Sequence, residues 1–355
     1  MLTSRAYDVV ESPADVSVAT DADAREWDGY VASRGDASQY HEWTWRGVFE
    51  RAFGHQTRYL IARRDGRIAG VLPMVIFKSA VFGRFMVSLP FVNYGGVVAD
   101  DDRAAGALLD EAAAVARREH LDHLELRHTS RQFEELPCKQ HKVSMMARLE
   151  TTTERAWDAL DRKVRNQIRK AEKSGLVAAE GGAELLDDFY AIFCRNMRDL
   201  GTPVYARKFF AEVLAAFPER ARIIVVRQGQ TPVAAGIVLG AGDTVEVPWA
   251  SSLSEYRAQC PNHSLYWFVM QWAIEHSFIV LDFGRSTPDE GTFHFKRQWG
   301  AEPGPQHWEY MLFGGARLPD QSPKNPKYRA AIDLWKRSPL WLTNTIGPLI
   351  VRSIP

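Results

Sequence analysis

The chain has 355 residues, 46% hydrophobic and 25% charged, a composition that leaves room for two domains and excludes a disordered or collagen-like chain. Its 44 Lys and Arg balance 44 Asp and Glu, so no global field steers it toward nucleic acid or acidic lipid, and any basic site must be local. Three cysteines, Cys138, Cys194 and Cys260, are too few and too scattered for a disulfide framework or a thiolate zinc site, which predicts a reducing compartment.

The first twenty residues carry acids and no apolar core, predicting neither a secretory signal nor an anchor and a cytoplasmic start. Residues 58–72 (RYLIARRDGRIAGVL) have two apolar runs around a Gly-containing turn, the pattern of a β-hairpin. The apolar region from Gly70 to Val98 is broken by Pro73, Lys78, Arg84, Pro90 and Asn93, and reads as consecutive strands. It ends in Asn93, Tyr94, Gly95 and Gly96. Paired glycines suit either a backbone that closely approaches a ligand, which places this loop at an acceptor cleft, or a tight hairpin turn.

Residues 106–127 predict an Ala-rich helix followed by a short strand containing Glu125. Near 150–155 a Thr-rich cap opens a new helix. The segment 161–175 places Arg162, Arg165 and Arg169 on one helix face, and Gly175 stops the helix. Such a face can fork phosphate oxygens or simply be solvated.

Residues 222–236 (RIIVVRQGQTPVAAG) lie on 58–72 without a gap, and residues 264–285 repeat the helix and strand of 106–127, with Asp282 in the place of Glu125. Two hairpin, helix, strand units therefore follow one another, although two unrelated domains would produce the same short matches. The expected architecture is α/β (α+β) with mixed sheets, divided into domains 1–152 and 153–312 and a basic, partly apolar tail 313–355.

In DFGRSTPDEGTFHFKRQWG (282–300), Arg285 and Ser286 are expected in a turn. A strand is expected to follow, with Phe293 and Phe295 on one face, Lys296 on the other and Trp299 beyond. A lysine set among aromatics can oppose a developing oxyanion, or it can be a surface lysine on an edge strand. Ten histidines lack metal-ligand spacing, and no GxSxG, Walker or GxGxxG string is present. The tail's seven cations face two acids, and residues 339–351 are apolar but too short to span a bilayer. That segment either docks on a membrane surface or packs back on the domains.

The strings SLPFVNYGG, VRNQIRKAEKSGL, PNHSLYWFVMQWAIE, DFGRS and GTFHFKRQWG resemble the FemAB-like acyltransferases with duplicated GNAT folds, especially the branch associated with exosortase and PEP-CTERM exopolysaccharide systems. The resemblance implies two tandem GNAT-like domains, with the acceptor held in the cleft between them. It implies transfer of an acyl or aminoacyl group to a cell-envelope glycan or lipid-linked precursor, of peptidoglycan or exopolysaccharide, without a tightly bound cofactor. Lys296 takes the family's catalytic position. Arg165 and Arg169 match its phosphate-binding position, and Trp45 and Arg46 match an acceptor-contacting element. Arg285, Ser286 and Trp299 are further expected substrate contacts. Two departures leave the donor open between aminoacyl-tRNA and acyl-CoA: no helical arm for tRNA is inserted, and RQWGAE (297–302) ends in Glu302 where a CoA-binding loop has a small residue. The alternatives are a CoA-dependent acetyltransferase of exopolysaccharide sugars and a non-catalytic envelope-assembly module.

Overall fold

The computed structural model describes residues 14–79, 82–319 and 326–354. Most of the amino-terminal segment read above, and Asp320 and Lys324 of the tail, lie outside the described residues.

In the first half, strands β1 (Asp15–Val18), β2 (Gln56–Arg64), β3 (Arg67–Ser79), β4 (Gly83–Val87), β5 (Val98–Ala99), β6 (His123–His128) and β7 (Cys138–Lys139) accompany helices α1 (Ala24–Ala32), α2 (Thr44–Phe53) and α3 (Asp102–Arg118). The second half begins with β8 (Val143–Arg148), α4 (Thr153–Ala159), α5 (Arg162–Lys173), β9 (Leu176–Gly181), α6 (Leu186–Leu200) and α7 (Arg207–Ala216). It continues with β10 (Ala221–Gln228), β11 (Thr231–Ala241), β12 (Thr244–Ser252), α8 (Pro261–Glu275), β13 (Val280–Ser286), α9 (Gly291–Arg297), β14 (Glu302–Pro305) and β15 (His307–Leu312). Helices α10 (Pro326–Arg337) and α11 (Leu340–Val351) close the chain.

The internal repeat is present in three dimensions. In the first hairpin, β2 and β3 turn at Asp65 and Gly66, both at positive φ (51° and 79°), as a tight turn of strands with right-handed twist requires. Helices α3 and α8 both end beside a non-glycine residue in the left-handed region, His120 and Ser277. The strand after each helix then pairs in parallel with an earlier strand for three residues: β6 with β4, ending at Val87 opposite Glu125, and β13 with β12, ending at Glu246 opposite Asp282. Glu125 and Asp282 thus occupy equivalent places, as their spacing predicts.

The sheets exchange strands. The first runs β1-β2-β3-β4-β6-β15-β7 with β5 on β3, and the second runs β14-β8-β13-β12-β11-β10-β9. A division at 152/153 therefore leaves β8 with the first half although it pairs with β13 in the second sheet, and β15 with the second half although it pairs with β6 in the first. The chain crosses between the sheets at Gln306, which is buried and donates from Nε2 to the Asn93 carbonyl at 3.1 Å.

Among the described residues three apolar cores follow from this layering. One lies between the first sheet and α3, and another lies where α5 and α8 cover the second sheet. The largest joins the halves, packing Trp27, Trp45 and Phe49 with Phe189, Phe209 and Trp249. Burial on this scale, at about 25 cal/mol per Å² of apolar surface, ties the two units into one body.

The segment after Asp282 differs from expectation. Residues 291–297 form α9, not a strand. The alternation of Phe293 and Phe295 suggests a period of two, but Phe295 and Trp299 stand one helical turn apart and pack together, and Gly300 at φ 81° stops the helix. In the tail, α11 lays Thr343, Gly347 and Val351 inward against α6 and the loop that follows it, where a Cβ on Gly347 would meet Val204 N at 3.0 Å.

Candidate active site between the two units

Strand alternation sorts the residues of β12 and β13. Val245, Val247, Leu281 and Phe283 face the core under α5 and α8, so Glu246 and Asp282 face the other way, toward the first unit. Both acids are only 2% exposed. Residues of the first unit meet them there: Asn93 Nδ2 donates to Glu246, and the Tyr94 hydroxyl donates to Asp282. Gln39 Nε2 donates to the other oxygen of Glu246 at 3.0 Å, and fully buried Tyr40 lies beside the same pair.

Two carboxyls on neighbouring strands, shut away from water, hold their protons more tightly than usual. Burial pushes Glu246 up, and the charge of Asp282 adds to the effect. Burial also raises Asp282, against hydrogen bonds from Tyr94 and the Gly284 N–H (2.7 Å) that favour its ionised form. The two titrate as a pair, so the raised affinity for protons belongs to both carboxyls together.

Beyond Asp282, β13 carries a bulge where its register with β8 shifts, and Gly284 sits there at φ 72°. A side chain at 284 would crowd Asn93 Nδ2 (3.0 Å) and the Val247 carbonyl (3.2 Å). The bulge turns two carbonyls toward Lys296 of α9, whose Nζ donates to Gly284 O at 3.1 Å and Arg285 O at 3.0 Å. Burial lowers the Lys296 pKa to about 8, opposed by the charges of Asp282 and Glu246. A pair of carboxyls and a lysine amine thus share one buried polar centre at the point where two parallel strands part. That combination can accept a proton from a nucleophile and balance negative charge on a carbonyl oxygen.

The sequence-derived residues divide. Asn93, Tyr94 and Lys296 meet at this centre, and Arg285 and Ser286 adjoin it on β13 rather than in a turn. Gly95 and Gly96 serve close packing: a Cβ at Gly95 would clash with the Ser88 carbonyl just after β4, and one at Gly96, φ 101°, with the His128 ring of β6. Trp299 is buried against His263, Tyr266 and Phe295 in the core under α8. Trp45 is fully buried, and its Nε1 donates to the Gln39 carbonyl at 3.0 Å, steadying the residue that holds Glu246. Arg46 pairs with Asp21 at 2.9 Å and Glu50 at 3.2 Å, and lies over the Trp43 ring.

Arg165 and Arg169 are not brought to the centre. Their helix, α5, packs Val164 and Ile168 on the opposite face of the second sheet, and the two arginines reach α4 instead. Arg165 lies 4.0 Å from Asp158, and Arg169 lies over the Trp157 ring. Sequence reading misses Glu246 and Gln39 altogether and notices Asp282 only as the repeat partner of Glu125. The available signal for Glu246 was one acid inside the apolar string TVEV. Among the described residues no three His, Cys, Asp or Glu side chains are grouped to hold a metal ion.

The raised carboxyls make stability depend on pH. An acid whose folded pKa exceeds its unfolded value contributes stability that is fully present below the unfolded value, 4.5 for Glu246, and is lost as pH rises through the folded one. The melting temperature is therefore expected to fall between about pH 5 and pH 8, and to fall less steeply in Glu246→Gln, which cannot ionise. Thermal melts across that range check this, and equal slopes in the two proteins would contradict it.

The family described as "Acetyltransferase (GNAT) domain" matches residues 159–297, a span containing Glu246, Asp282 and Lys296. No curated protein sequence matches the chain. Among solved structures, the chain is similar to FemX, at 16% identity, with 84% of this chain and 97% of that one covered and a TM-score of 0.65. It is also similar to the C-terminal domain of a putative lysylphosphatidylglycerol synthetase from Agrobacterium fabrum (11% identity, 84% and 94% covered, TM-score 0.56). A third similar structure is a tandem GNAT protein from the clavulanic acid biosynthesis pathway (10% identity, 86% and 100% covered, TM-score 0.55). At these identities the agreement is one of fold: the chain has two tandem GNAT-like domains with mixed sheets.

Proposed function

We propose that this chain transfers an acyl or aminoacyl group to an amine or hydroxyl of a cell-envelope glycan or its lipid-linked precursor, in the manner of the Fem transferases. The observation that carries the reading is the buried centre of Glu246, Asp282 and Lys296, completed by Asn93 and Tyr94 from the other unit. The Asp282–Glu246 pair takes the proton of the attacking nitrogen or oxygen as that atom bonds to the acyl carbon. The Lys296 ammonium faces the carbonyl oxygen as negative charge builds there. The acyl–oxygen bond of an aminoacyl ester, or the acyl–sulfur bond of a thioester, then breaks, and the departing atom takes up the proton.

The family match, by its acetyltransferase description, favours a second reading: CoA-dependent acetylation of exopolysaccharide sugars at the same centre. A non-catalytic assembly module is the third. Melting the protein with acyl-CoAs, aminoacyl-tRNAs and polyprenyl-linked sugars separates them. A ligand of the native state at a hundred times its Kd adds about 2.7 kcal/mol of stability. Stabilisation by acyl-CoA alone supports the CoA reading, and stabilisation by aminoacyl-tRNA with a lipid-linked sugar supports the first. Stabilisation by no donor of either kind sinks both.

The proposed place of action is the inner face of the cytoplasmic membrane. No helix of the described residues is long and apolar enough to cross a bilayer. Yet α11 turns Trp341, 70% exposed, and Leu349, 63% exposed, outward, near exposed Lys336, Arg337 and Arg352. An apolar stripe flanked by cations suits an anionic lipid surface. The expected result is that the intact chain pellets with vesicles containing anionic lipid, whereas Trp341→Ser/Leu349→Ser, which leaves the inward face of α11 intact, does not. Equal pelleting of both, or of neither at low salt, would exclude the docking.

A further inference from the structure

We propose that Arg127, Arg285 and Ser286, against the Trp308 ring, form a binding site for a phosphate or diphosphate group beside Lys296. The site needs both halves of the chain: Arg127 stands on β6, Arg285 and Ser286 on β13, and Trp308 on the crossing strand β15. The Arg127 side chain is 1% exposed, and its Nε donates to Glu125 at 2.7 Å. Its Nη1 and Nη2 are buried and have no acceptor among the described residues. The same holds for Arg285 Nη1 and for the Ser286 hydroxyl. The two guanidinium carbons lie 4.2 Å and 5.3 Å from the centre of the one Trp308 ring.

Leaving such donors buried and unpaired is costly, and arginine cannot escape the cost by losing its proton. Burial, and after it the charge of Arg127, lowers the Arg285 pKa to about 10, the mark of two cations held close together. Glu125 supplies one negative charge for the two guanidinium groups, so the cluster lacks an anion. Three unpartnered Nη nitrogens with two N–H groups each exceed the roughly four lone-pair sites of a single carboxylate, and match the richer set of acceptors on phosphate. The Arg285 carbonyl accepts from Lys296 at 3.0 Å, so the bound group adjoins the reacting centre. The identity of the molecule carrying the phosphate rests on the transferase reading, but the binding itself does not.

The test is calorimetric titration of the full chain with inorganic diphosphate and with inorganic phosphate at fixed ionic strength, with acetate as the carboxylate control. Saturable binding of diphosphate is expected, weakened at least tenfold in Arg285→Met, in line with the loss of one charge-assisted hydrogen bond. Arg285→Lys, which keeps the charge and loses the fork, substitutes if the Met variant fails to fold. Affinity should be unchanged in Arg165→Gln/Arg169→Gln, and binding should persist in Asp282→Asn, which separates failure of this site from failure of the transferase reading. Competition by a soluble nucleoside diphosphate, or by a polyprenyl diphosphate in detergent, assigns the source of the group. The site is overturned by absence of saturable binding, by undiminished affinity in a folded Arg285 variant, by loss of binding in the Arg165/Arg169 variant, or by competition from neither compound.

Discussion

Asp282→Asn is expected to slow group transfer about 100-fold to 10,000-fold, the range lost with a general base. The substitution keeps the shape of the side chain, and Asn Oδ1 can still accept from the Gly284 N–H that now reaches Asp282 at 2.7 Å. What it removes is the negative charge that the Tyr94 hydroxyl bonds and that lies beside Glu246. Single-turnover rates in wild type and variant, with the fold checked by circular dichroism, measure the effect. A folded variant within threefold of wild type would mean that Asp282 does not accept the proton.

The second large effect is expected at Lys296. Replacement by Met keeps much of the apolar stem but removes the ammonium, and loss of one oxyanion stabiliser costs about 100-fold to 1000-fold in turnover. Its two present acceptors, the carbonyls of Gly284 and Arg285, lie on the bulge that shapes the site. Some loss of stability should therefore accompany the loss of rate. Comparison with Lys296→Arg distinguishes the two roles. Restoration of the melting temperature without restoration of the rate indicates chemistry at Nζ, whereas restoration of both by a bulkier cation indicates that any positive charge suffices. Near-wild-type turnover in the folded Met variant would remove Lys296 from the mechanism.

The parts of this fold that are legible in the sequence are those fixed by local chemistry. The Asp65-Gly66 turn, the helices of the repeat and their following strands are written in spacing and turn residues, so the two units and the equivalence of Glu125 and Asp282 can be read directly. The exchange of β8 and β15 cannot, because a six-residue strand states which of its faces is apolar but not which sheet it joins. Lys296 could be singled out from its setting among aromatics, although the element carrying it is a helix rather than a strand.

Glu246 is invisible to sequence reading for a different reason. One acid in an alternating strand is the usual mark of a solvated face, and its meaning comes only from Asp282 on the neighbouring strand and Asn93 from the other unit. The arginines divide similarly. Arg165 and Arg169 share a face at helical spacing but lie across the sheet from the carboxyls, whereas Arg127 and Arg285 share no local pattern and converge on Trp308.

The most direct test of the central claim, that one centre between the two units performs group transfer, is to follow a labelled acyl group. The donor is whichever of aminoacyl-tRNA or acyl-CoA stabilises the protein, and the acceptor is the glycan precursor that does the same. The account predicts that the label appears on the acceptor in the presence of wild type, and that its appearance depends on both Asp282 and Lys296. A chain that binds donor and acceptor together yet moves no label, or that moves it equally well without either residue, would contradict the account.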